Sequence, residues 1–242
     1  MEKADEHFDH GNYFKANGQV EEAIAEYSKA TKINPNLAEA HNNLGILYKD
    51  KGQYWKAIEE YKKAVKINPR LDEAYDNLGI VHLDMGLYKK AVAAFKKAIQ
   101  TNPLNPRVHN NLGVAYDKQG DYEKALEEYK KAVEIDPNMG EAFYNLGVVY
   151  GVLGMFEKSI EYLKKGVHLD YIDAQTHFNL ALSYKNLGLI DEAVEEYKKA
   201  LAIDPNFAEA HYNLGMLYSK NGKKAESLSE LDEFIKLSEK RI

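Results

Sequence analysis

Residues 38–71 read AEAHNNLGILYKDKGQYWKAIEEYKKAVKINPRL, and close variants of these 34 residues follow one another along the chain. Aligned on the asparagine at position 6, the units run 4–37, 38–71, 72–105, 106–139, 140–173, 174–207 and 208–241. A segment this short cannot bury an apolar face alone and must pack on its neighbours. The pattern therefore predicts one repeat domain over residues 1–242, although length alone would allow two separate domains.

Each unit contains two runs of apolar residues at helical spacing. In residues 38–71 the first run includes Leu44, Leu47 and Tyr48, and the second includes Ala57 and Tyr61. This spacing predicts a pair of helices per unit and an all-α fold. A glycine between the runs ends the first helix with left-handed backbone. These glycines are Gly18, Gly52, Gly86, Gly120, Gly154, Gly188 and Gly222. A proline after Asn or Asp ends the second helix. These prolines are Pro35, Pro69, Pro103, Pro137 and Pro205.

The composition excludes several classes of function. The net charge is −6, and the 29% of residues that are charged alternate in sign without a basic stripe, so nucleic acid is not an expected partner. The absence of cysteine excludes disulfides and thiolate metal sites and favours a cytoplasmic location. No apolar run approaches the length of a membrane span, so direct membrane insertion is not expected.

Histidine is the one residue type that could suggest catalysis. Five of the eight histidines share position 4 of their units and are interpreted as packing residues. They are His7, His41, His109, His177 and His211. Because neighbouring helix pairs lie roughly 10 Å apart, these side chains cannot share one metal ion. No phosphate-binding loop, nucleophile elbow or metal-binding cluster is present, which predicts a protein that is not an enzyme and needs no cofactor.

Five first helices carry a Leu-Gly pair, and in all but the second pair a tyrosine follows three residues after the glycine. The pairs are Leu44-Gly45, Leu78-Gly79, Leu112-Gly113, Leu146-Gly147 and Leu214-Gly215. Small residues admit a neighbouring helix, and large rings fill the space between helices. The pattern resembles the tetratricopeptide repeat (TPR) family over essentially the whole chain. This resemblance implies a right-handed superhelical solenoid in which the first helices line a concave groove that binds protein partners.

The helical phase places positions 2, 5, 6, 9 and 13 of each unit on the groove side. Position 6 is an asparagine in six units. These residues are Asn43, Asn77, Asn111, Asn145, Asn179 and Asn213. An amide offers both a donor and an acceptor, so the array predicts a site for the backbone of an extended peptide. The array is similar to that of the O-GlcNAc transferase TPR domain, which holds peptide backbones along its concave face. Alternatively, each amide bonds to a neighbouring helix.

Other groove positions predict selectivity for the ligand. Acidic residues toward the start of the chain, Glu39, Glu73 and Asp76, favour a ligand with Lys or Arg. Aromatic and apolar residues at positions 5 and 9 of later units are predicted anchors for its side chains. They are Tyr144, Val148, Phe178, Leu182, Tyr212 and Met216. Two alternatives remain: the rings pack within the repeats, and glutamate in the first turn stabilises the helix dipole.

Two departures from the repeat stand out. Trp55 occupies a position that is charged in other units, which predicts an exposed contact for a second protein or another copy of this chain; partial burial is the alternative. Residues 140–173 carry extra glycines, including Gly151 on the groove side, and lack the usual proline. Gly151 could admit a ligand backbone, act as a hinge or soften the structure locally.

The leading prediction is a protein-interaction module that binds an extended peptide segment of a partner in its groove. Two alternatives stay open. One is a self-assembling scaffold, for example on the surface of a bacterial organelle, which would make the protein a homo-oligomer. The other is the recognition arm of a larger enzyme such as a glycosyltransferase. The sequence does not identify the partner, because repeats encode a scaffold and not its cargo.

Overall fold

The computed structural model describes residues 3–239, and within them it contains fourteen α-helices. They are α1 (Ala4–Ala16), α2 (Val20–Ile33), α3 (Ala38–Asp50), α4 (Tyr54–Ile67), α5 (Asp72–Asp84), α6 (Tyr88–Thr101), α7 (Pro106–Asp117), α8 (Tyr122–Ile135), α9 (Gly140–Val152), α10 (Phe156–His168), α11 (Ala174–Asn186), α12 (Ile190–Ile203), α13 (Ala208–Lys220) and α14 (Lys224–Glu239). Each predicted unit holds two of them, which confirms the all-α fold. The outermost residues of the predicted span, 1, 2 and 240–242, lie outside the described part.

The contacts divide the chain into two compact units, Met1–Glu128 and Tyr129–Ile242, which are described separately. In the first unit, α1 pairs with α2, α3 with α4 and α5 with α6, and each second helix also packs on the next first helix. In the second unit, α9 pairs with α10, α11 with α12 and α13 with α14 in the same way. The pairs are antiparallel. The prediction of one domain over residues 1–242 stays a prediction.

The helix boundaries follow the predicted glycine and proline signals. All seven glycines between the helices of a pair have left-handed backbone, with φ of 70° at Gly52 and 78° at Gly120. The second helices α2, α4, α6 and α12 end one residue before the Asn or Asp that precedes proline. Both signals act locally, because glycine tolerates positive φ and proline disfavours helix in the residue before it.

The glycine of the Leu-Gly pair permits close contact between the helices of one pair. A Cβ atom built on Gly45 would lie 2.4 Å from the ring of Tyr61, which is fully buried in α4. Gly79 stands in the same relation to Phe95, and Gly147 to Leu163. Since two helices approach this closely only where one lacks a side chain, these glycines are required for packing.

The link between α10 and α11 is irregular, as the missing proline predicts. Asp170 is the one described residue other than glycine with positive φ, at 59°. Asp173 then caps α11, because its Oδ1 accepts a hydrogen bond of 2.6 Å from the backbone N–H of Thr176. Tyr171 stands at the proline position and packs on Tyr144, with 5.2 Å between the ring centroids. The irregular link therefore supplies its own cap and its own packing.

Candidate functional site

The surface formed by positions 2, 5, 6, 9 and 13 of the first helices is called here the first-helix face. Its position 2 side chains are exposed, including Glu39 and Glu73. At position 9, Val148 and Leu182 are half-buried, whereas Met216 is 49% exposed. These five predicted site residues are therefore open to a ligand to different degrees.

The asparagines at position 6 connect adjacent first helices. Asn77 Nδ2 donates to Asn42 Oδ1 at 3.1 Å, which joins α5 to α3. Asn111 Nδ2 donates to Asp76 Oδ1 at 3.1 Å, and Asn179 Nδ2 donates to the hydroxyl of Tyr144 at 3.3 Å. Each acceptor belongs to position 5 of the preceding repeat. One amide N–H of each of these three asparagines therefore bonds to a neighbouring helix, the alternative that the sequence left open.

The amide oxygens differ among the array members. Asn43 Oδ1 accepts from Lys15 Nζ at 3.1 Å, and Asn213 Oδ1 accepts from Lys185 Nζ at 2.7 Å. Among the described residues, no hydrogen bond reaches Oδ1 of Asn77 or Asn111, and both side chains are half-buried. Asn145 is also half-buried, in α9. The array thus uses amide N–H donors within the fold and keeps some amide oxygens available as acceptors.

Asp76 must be corrected from a groove residue to a buried inter-repeat residue. Its side chain is 1% exposed, and Arg107 Nη2 lies 2.8 Å from its Oδ2. Burial raises the pKa of the Asp76 carboxyl, although Asn111 and Arg107 act in the opposite direction. The same position is buried at Asn42 and Asn110. In these three repeats the position 5 side chain is enclosed, so Asp76 has no surface with which to contact a ligand.

The predicted aromatic anchors are also partly engaged in packing. Phe178 is half-buried, and its ring centroid lies 4.8 Å from that of Phe207. Tyr144 is half-buried as well, and burial raises the pKa of its hydroxyl to about 12. Tyr212 is 43% exposed and packs one side of its ring against Phe234 at 5.2 Å. Of the three rings, Tyr212 offers the largest free surface.

A pocket opens beside Gly151, where α9, α10 and α11 meet. It holds about 210 Å³. Its lining combines apolar walls with a few polar groups from the three helices. The lining residues are Val148, Gly151, Val152, Phe156, Ser159, Asn179, Leu182, Ser183 and Asn186. Three predicted site residues, Val148, Asn179 and Leu182, therefore meet at one cavity on the first-helix face.

The position 4 histidines are buried or nearly so, but they also form specific polar pairs. The Nδ1–H group of each donates to a glutamate 19 residues later, over 2.5 to 2.7 Å. The pairs are His7–Glu26, His41–Glu60, His109–Glu128, His177–Glu196 and His211–Glu230. The sequence contained the signal for them, because the repeats without this histidine also lack the glutamate: they have Tyr75 with Ala94, and Phe143 with Tyr162.

One group of side chains in the described residues has the spacing of metal ligands. It consists of His7, His10 and Glu26. Its core contact, His7 with Glu26, is the same pair that recurs in four other repeats. The fold therefore accounts for this cluster without a metal ion.

Trp55 lies near the start of α4 and is 68% exposed, as predicted from its charged equivalents. It borders a shallow depression with Tyr54, Lys56 and Met85. No helix within residues 3–239 is both long enough and apolar enough to cross a lipid bilayer.

Comparisons with known proteins agree with this architecture. Family models described as TPR repeat match residues 11–52, 47–86 and 187–222. Models described as Tetratricopeptide repeat match residues 77–140, 140–172 and 208–241. Together they span most of the chain. Among the curated proteins, none matches.

Solved structures provide further relatives. A crystal structure of MamA is 31% identical, covers 66% of this chain and 94% of that one, and gives a TM-score of 0.63. YrrB, described as a TPR protein with an unusual peptide-binding site, is 25% identical, with coverage of 76% and 95% and a TM-score of 0.65. A tetratricopeptide repeat protein from Parabacteroides merdae ATCC 43184 is 16% identical, covers 97% of this chain and 93% of that one, and gives a TM-score of 0.73, which shows the fold alone.

Proposed function

This chain belongs to the tetratricopeptide repeat family, and from that premise we propose that it binds an extended peptide segment of a partner protein along its first-helix face. Repeats of this family form protein-interaction modules and typically carry no catalytic chemistry. YrrB, a relative of similar fold, has a peptide-binding site. The proposed role is therefore recognition, with no reaction step.

The observation that carries the proposal is the fixed orientation of the asparagine amides. In Asn77 and Asn111, the N–H group is bonded to the preceding helix, so the amide plane is held in place. Oδ1 of each is left as an acceptor on a half-buried surface. A peptide in extended conformation presents backbone N–H donors at regular intervals, so two fixed acceptors can bind it whatever its side chains.

Charge and exposure support a ligand with basic residues. The exposed position 2 side chains include Asp5, Glu39, Glu73 and Glu209. With a net charge of −6, the chain attracts cationic segments over distances of about 8 Å at physiological salt. We place the acidic residues at the edge of the binding site, where they favour Lys and Arg, and the asparagines along its centre.

Selection from a library of random displayed peptides tests the proposal and requires no identified partner. Successive repeats lie roughly 10 Å apart, a distance that an extended chain covers in about three residues. A peptide of about nine residues therefore spans three repeats. Peptides selected on the intact chain should bind Asn77→Ala/Asn111→Ala about tenfold more weakly in calorimetry, because two hydrogen bonds are lost. Asn36→Ala, an exposed asparagine in the α2–α3 turn, should bind as the parent chain does.

A second variant separates ligand contact from structural support. Asn42→Ala removes the acceptor for Asn77 Nδ2 but leaves Asn77 Oδ1 in place. We expect this variant to lose stability and to bind the peptides less than about threefold more weakly, because Asn77 loses its fixed orientation but keeps its oxygen. If the Asn77→Ala/Asn111→Ala chain is folded and binds the selected peptides with unchanged affinity, the asparagines hold the repeats together and the proposal fails.

A second candidate function, self-association, is favoured by the exposure of Trp55. A tryptophan with 68% of its surface exposed is a typical anchor for a protein contact. We propose a second copy of this chain as its partner. Sedimentation velocity over a range of concentrations should then show a dimer that Trp55→Glu abolishes, whereas Lys89→Glu, the equivalent position of the next repeat, leaves it intact. A chain that stays monomeric at every concentration would rule this out.

A further inference from the structure

We propose that the pocket beside Gly151 binds the side chain of one lysine from the bound partner, with the stem on its apolar walls and the ammonium on its amide oxygens. The inference rests on the proposed function, since it assigns the pocket to one residue of the bound peptide. Three independent features of the fold carry it.

The first feature is an internal precedent at the same repeat position. Gly151 is residue 12 of its unit, and residue 12 is a lysine in three other units, at Lys15, Lys49 and Lys185. Lys15 and Lys185 reach the next repeat and donate to Oδ1 of its asparagine, at 3.1 Å on Asn43 and 2.7 Å on Asn213. This fold therefore accommodates an ammonium on that oxygen.

At Gly151 the equivalent lysine is absent, and the equivalent asparagine is Asn179. Its Oδ1 accepts one long hydrogen bond, 3.4 Å from Gln175 Nε2, both on α11. A built Cβ on Gly151 has Ser159 Oγ and Ser183 Oγ as its nearest oxygen neighbours, at 3.2 and 3.8 Å. The space that the stems of Lys15 and Lys185 cross in their units is thus open here, and it forms the pocket.

The second feature is the hydrogen-bonding character of the polar lining. Asn179 Nδ2 donates to Tyr144, and Asn186 Nδ2 donates to the backbone oxygen of Leu182 at 2.8 Å. Ser183 Oγ donates to the backbone oxygen of Asn179 at 3.0 Å, so its 2.9 Å contact with Ser159 is a hydrogen bond donated by Ser159. One N–H of each amide and both hydroxyl hydrogens are therefore committed within the protein. The Oδ1 atoms of Asn179 and Asn186 retain acceptor capacity, and an ammonium is a donor with no acceptor.

The third feature is the apolar wall. Val148, Val152, Phe156 and Leu182 line the pocket around the amides. A lysine combines a chain of four methylene groups with a cationic head, so its stem can cover apolar surface while its head reaches the polar groups. Lys49, at the same position in α3, lies instead 3.5 Å from Asp50 Oδ1. What distinguishes residues 140–173 is the glycine at position 12, which leaves the space beside the asparagine oxygen open.

Nuclear magnetic resonance titration with single-residue probes tests the pocket directly. N-acetyl-lysine-N-methylamide should shift the side-chain amide signals of Asn179 and Asn186 and the methyl signals of Val148 and Val152. Its norleucine analogue has the same stem without the ammonium. We expect it to bind at least tenfold more weakly, because it leaves the acceptors unpaired.

Matched variants place the effect at Gly151. Gly151→Lys introduces the internal lysine of the other units and should abolish the shifts. Gly151→Ala adds only the Cβ and should retain them. Lys185→Gly should create a second site, seen at Asn213. Circular dichroism checks that each variant is folded.

Equal binding of norleucine, an absence of shifts with the lysine probe, or full binding by folded Gly151→Lys would overturn the inference. The probe contains no peptide segment, so a failure here leaves the proposed peptide binding intact. Conversely, unchanged peptide binding by the Asn77→Ala/Asn111→Ala chain leaves the lysine pocket intact, because neither asparagine lines it.

Discussion

Repeats 38–71 and 140–173 have the same frame but different interiors. Both contain two helices joined by a left-handed glycine, Gly52 with φ of 70° and Gly154 with φ of 74°. In the first, a buried tyrosine, Tyr61, fills the space beneath the first helix, and in the second the smaller Leu163 does so. The helix frame therefore tolerates changes in what fills it.

The same two repeats differ where the pocket forms. Residues 49 and 57 are Lys and Ala in the regular repeat, and the equivalent residues 151 and 159 are Gly and Ser. Loss of the lysine side chain opens space on the first-helix face, and the serine brings a hydroxyl to its floor. The comparison teaches that a site can arise in a repeat protein from the removal of a side chain, without any change in the backbone frame.

The largest difference in stability should come from adding a Cβ atom at Gly45 in one repeat and at Gly151 in the other. Gly45→Ala places a Cβ 2.4 Å from the buried ring of Tyr61, so we expect the free energy of unfolding to fall by about 1–3 kcal/mol. Gly151→Ala meets Ser159 Oγ at 3.2 Å and gains helix propensity, so we expect a rise of less than about 1 kcal/mol. Urea denaturation measures both. Equal destabilisation would show that the two interiors are packed alike.

The His41–Glu60 pair should make the regular repeat sensitive to acid. Burial alone would raise the pKa of Glu60, but hydrogen bonds from His41 and Lys63 outweigh it and hold the pKa below its usual 4.5. A carboxyl with a lowered pKa in the folded state stabilises the fold above the unfolded-state value, and this contribution is lost as pH falls through the folded-state value.

Glu60→Gln should therefore cost about 1–3 kcal/mol at pH 7, and the difference from the parent chain should shrink below about pH 4. Residue 162, the equivalent of Glu60 in repeat 140–173, is a tyrosine stacked on Tyr150. Tyr162→Phe is thus the matched control, for which we expect no change in the pH profile. Urea denaturation at several pH values measures the free energy of unfolding of each chain. If Glu60→Gln is less stable than the parent chain by the same amount down to about pH 3, the prediction is wrong.

A smaller effect should follow from exchanging Ala57 and Ser159. Ala57→Ser buries a hydroxyl in the regular repeat, where the residue equivalent to Ser183 is Val81, and we expect a loss of about 1 kcal/mol. Ser159→Ala removes one hydrogen bond with Ser183 but gains helix propensity, so its stability should change by less than about 0.5 kcal/mol. Thermal unfolding compares the two. The comparison fails if Ser159→Ala proves the more damaging change.

The smallest effect concerns the irregular link. Asp170 adopts positive φ, which costs an L-residue other than glycine about 1 kcal/mol, less for Asp than for most. Asp170→Gly removes this strain but makes the unfolded chain more flexible, so we expect a net gain of about 0.5 kcal/mol or less. Asp204→Gly, at the regular equivalent with φ of −125°, should instead lower stability. Differential scanning calorimetry checks the opposite signs.

Much of the fold could be predicted from the sequence, because its signals are local. Gly52 and Pro69 mark helix ends through their own backbone preferences, and Leu44 and Leu47 mark a buried stripe through their spacing. The exposure of Trp55 also followed from the charged residues at equivalent positions. The burial of Asp76 did not, because it depends on α7, which packs over that position.

The site was harder to predict. Histidine and a glutamate 19 residues later occur together in the same repeats, and this pattern indicates that the two side chains are partners. Neither position shows the pairing when it is considered alone. The partner of Asn179 in the preceding repeat, Tyr144, lies 35 residues away. Helical periodicity assigns a residue to one side of its own helix, but it does not tell which neighbouring helix covers that side.

The sequence by itself determined the repeat, the two helices in each unit, their ends and the family, because these follow from backbone preferences and from the spacing of apolar residues. The tertiary structure decided which polar groups form hydrogen bonds within the fold and which stay available to a ligand. It placed Asp76 in the seam between repeats, fixed the asparagine amides through their N–H groups and opened the pocket beside Gly151. Those outcomes depend on side chains about 8 to 35 residues apart, which meet only when the helices pack.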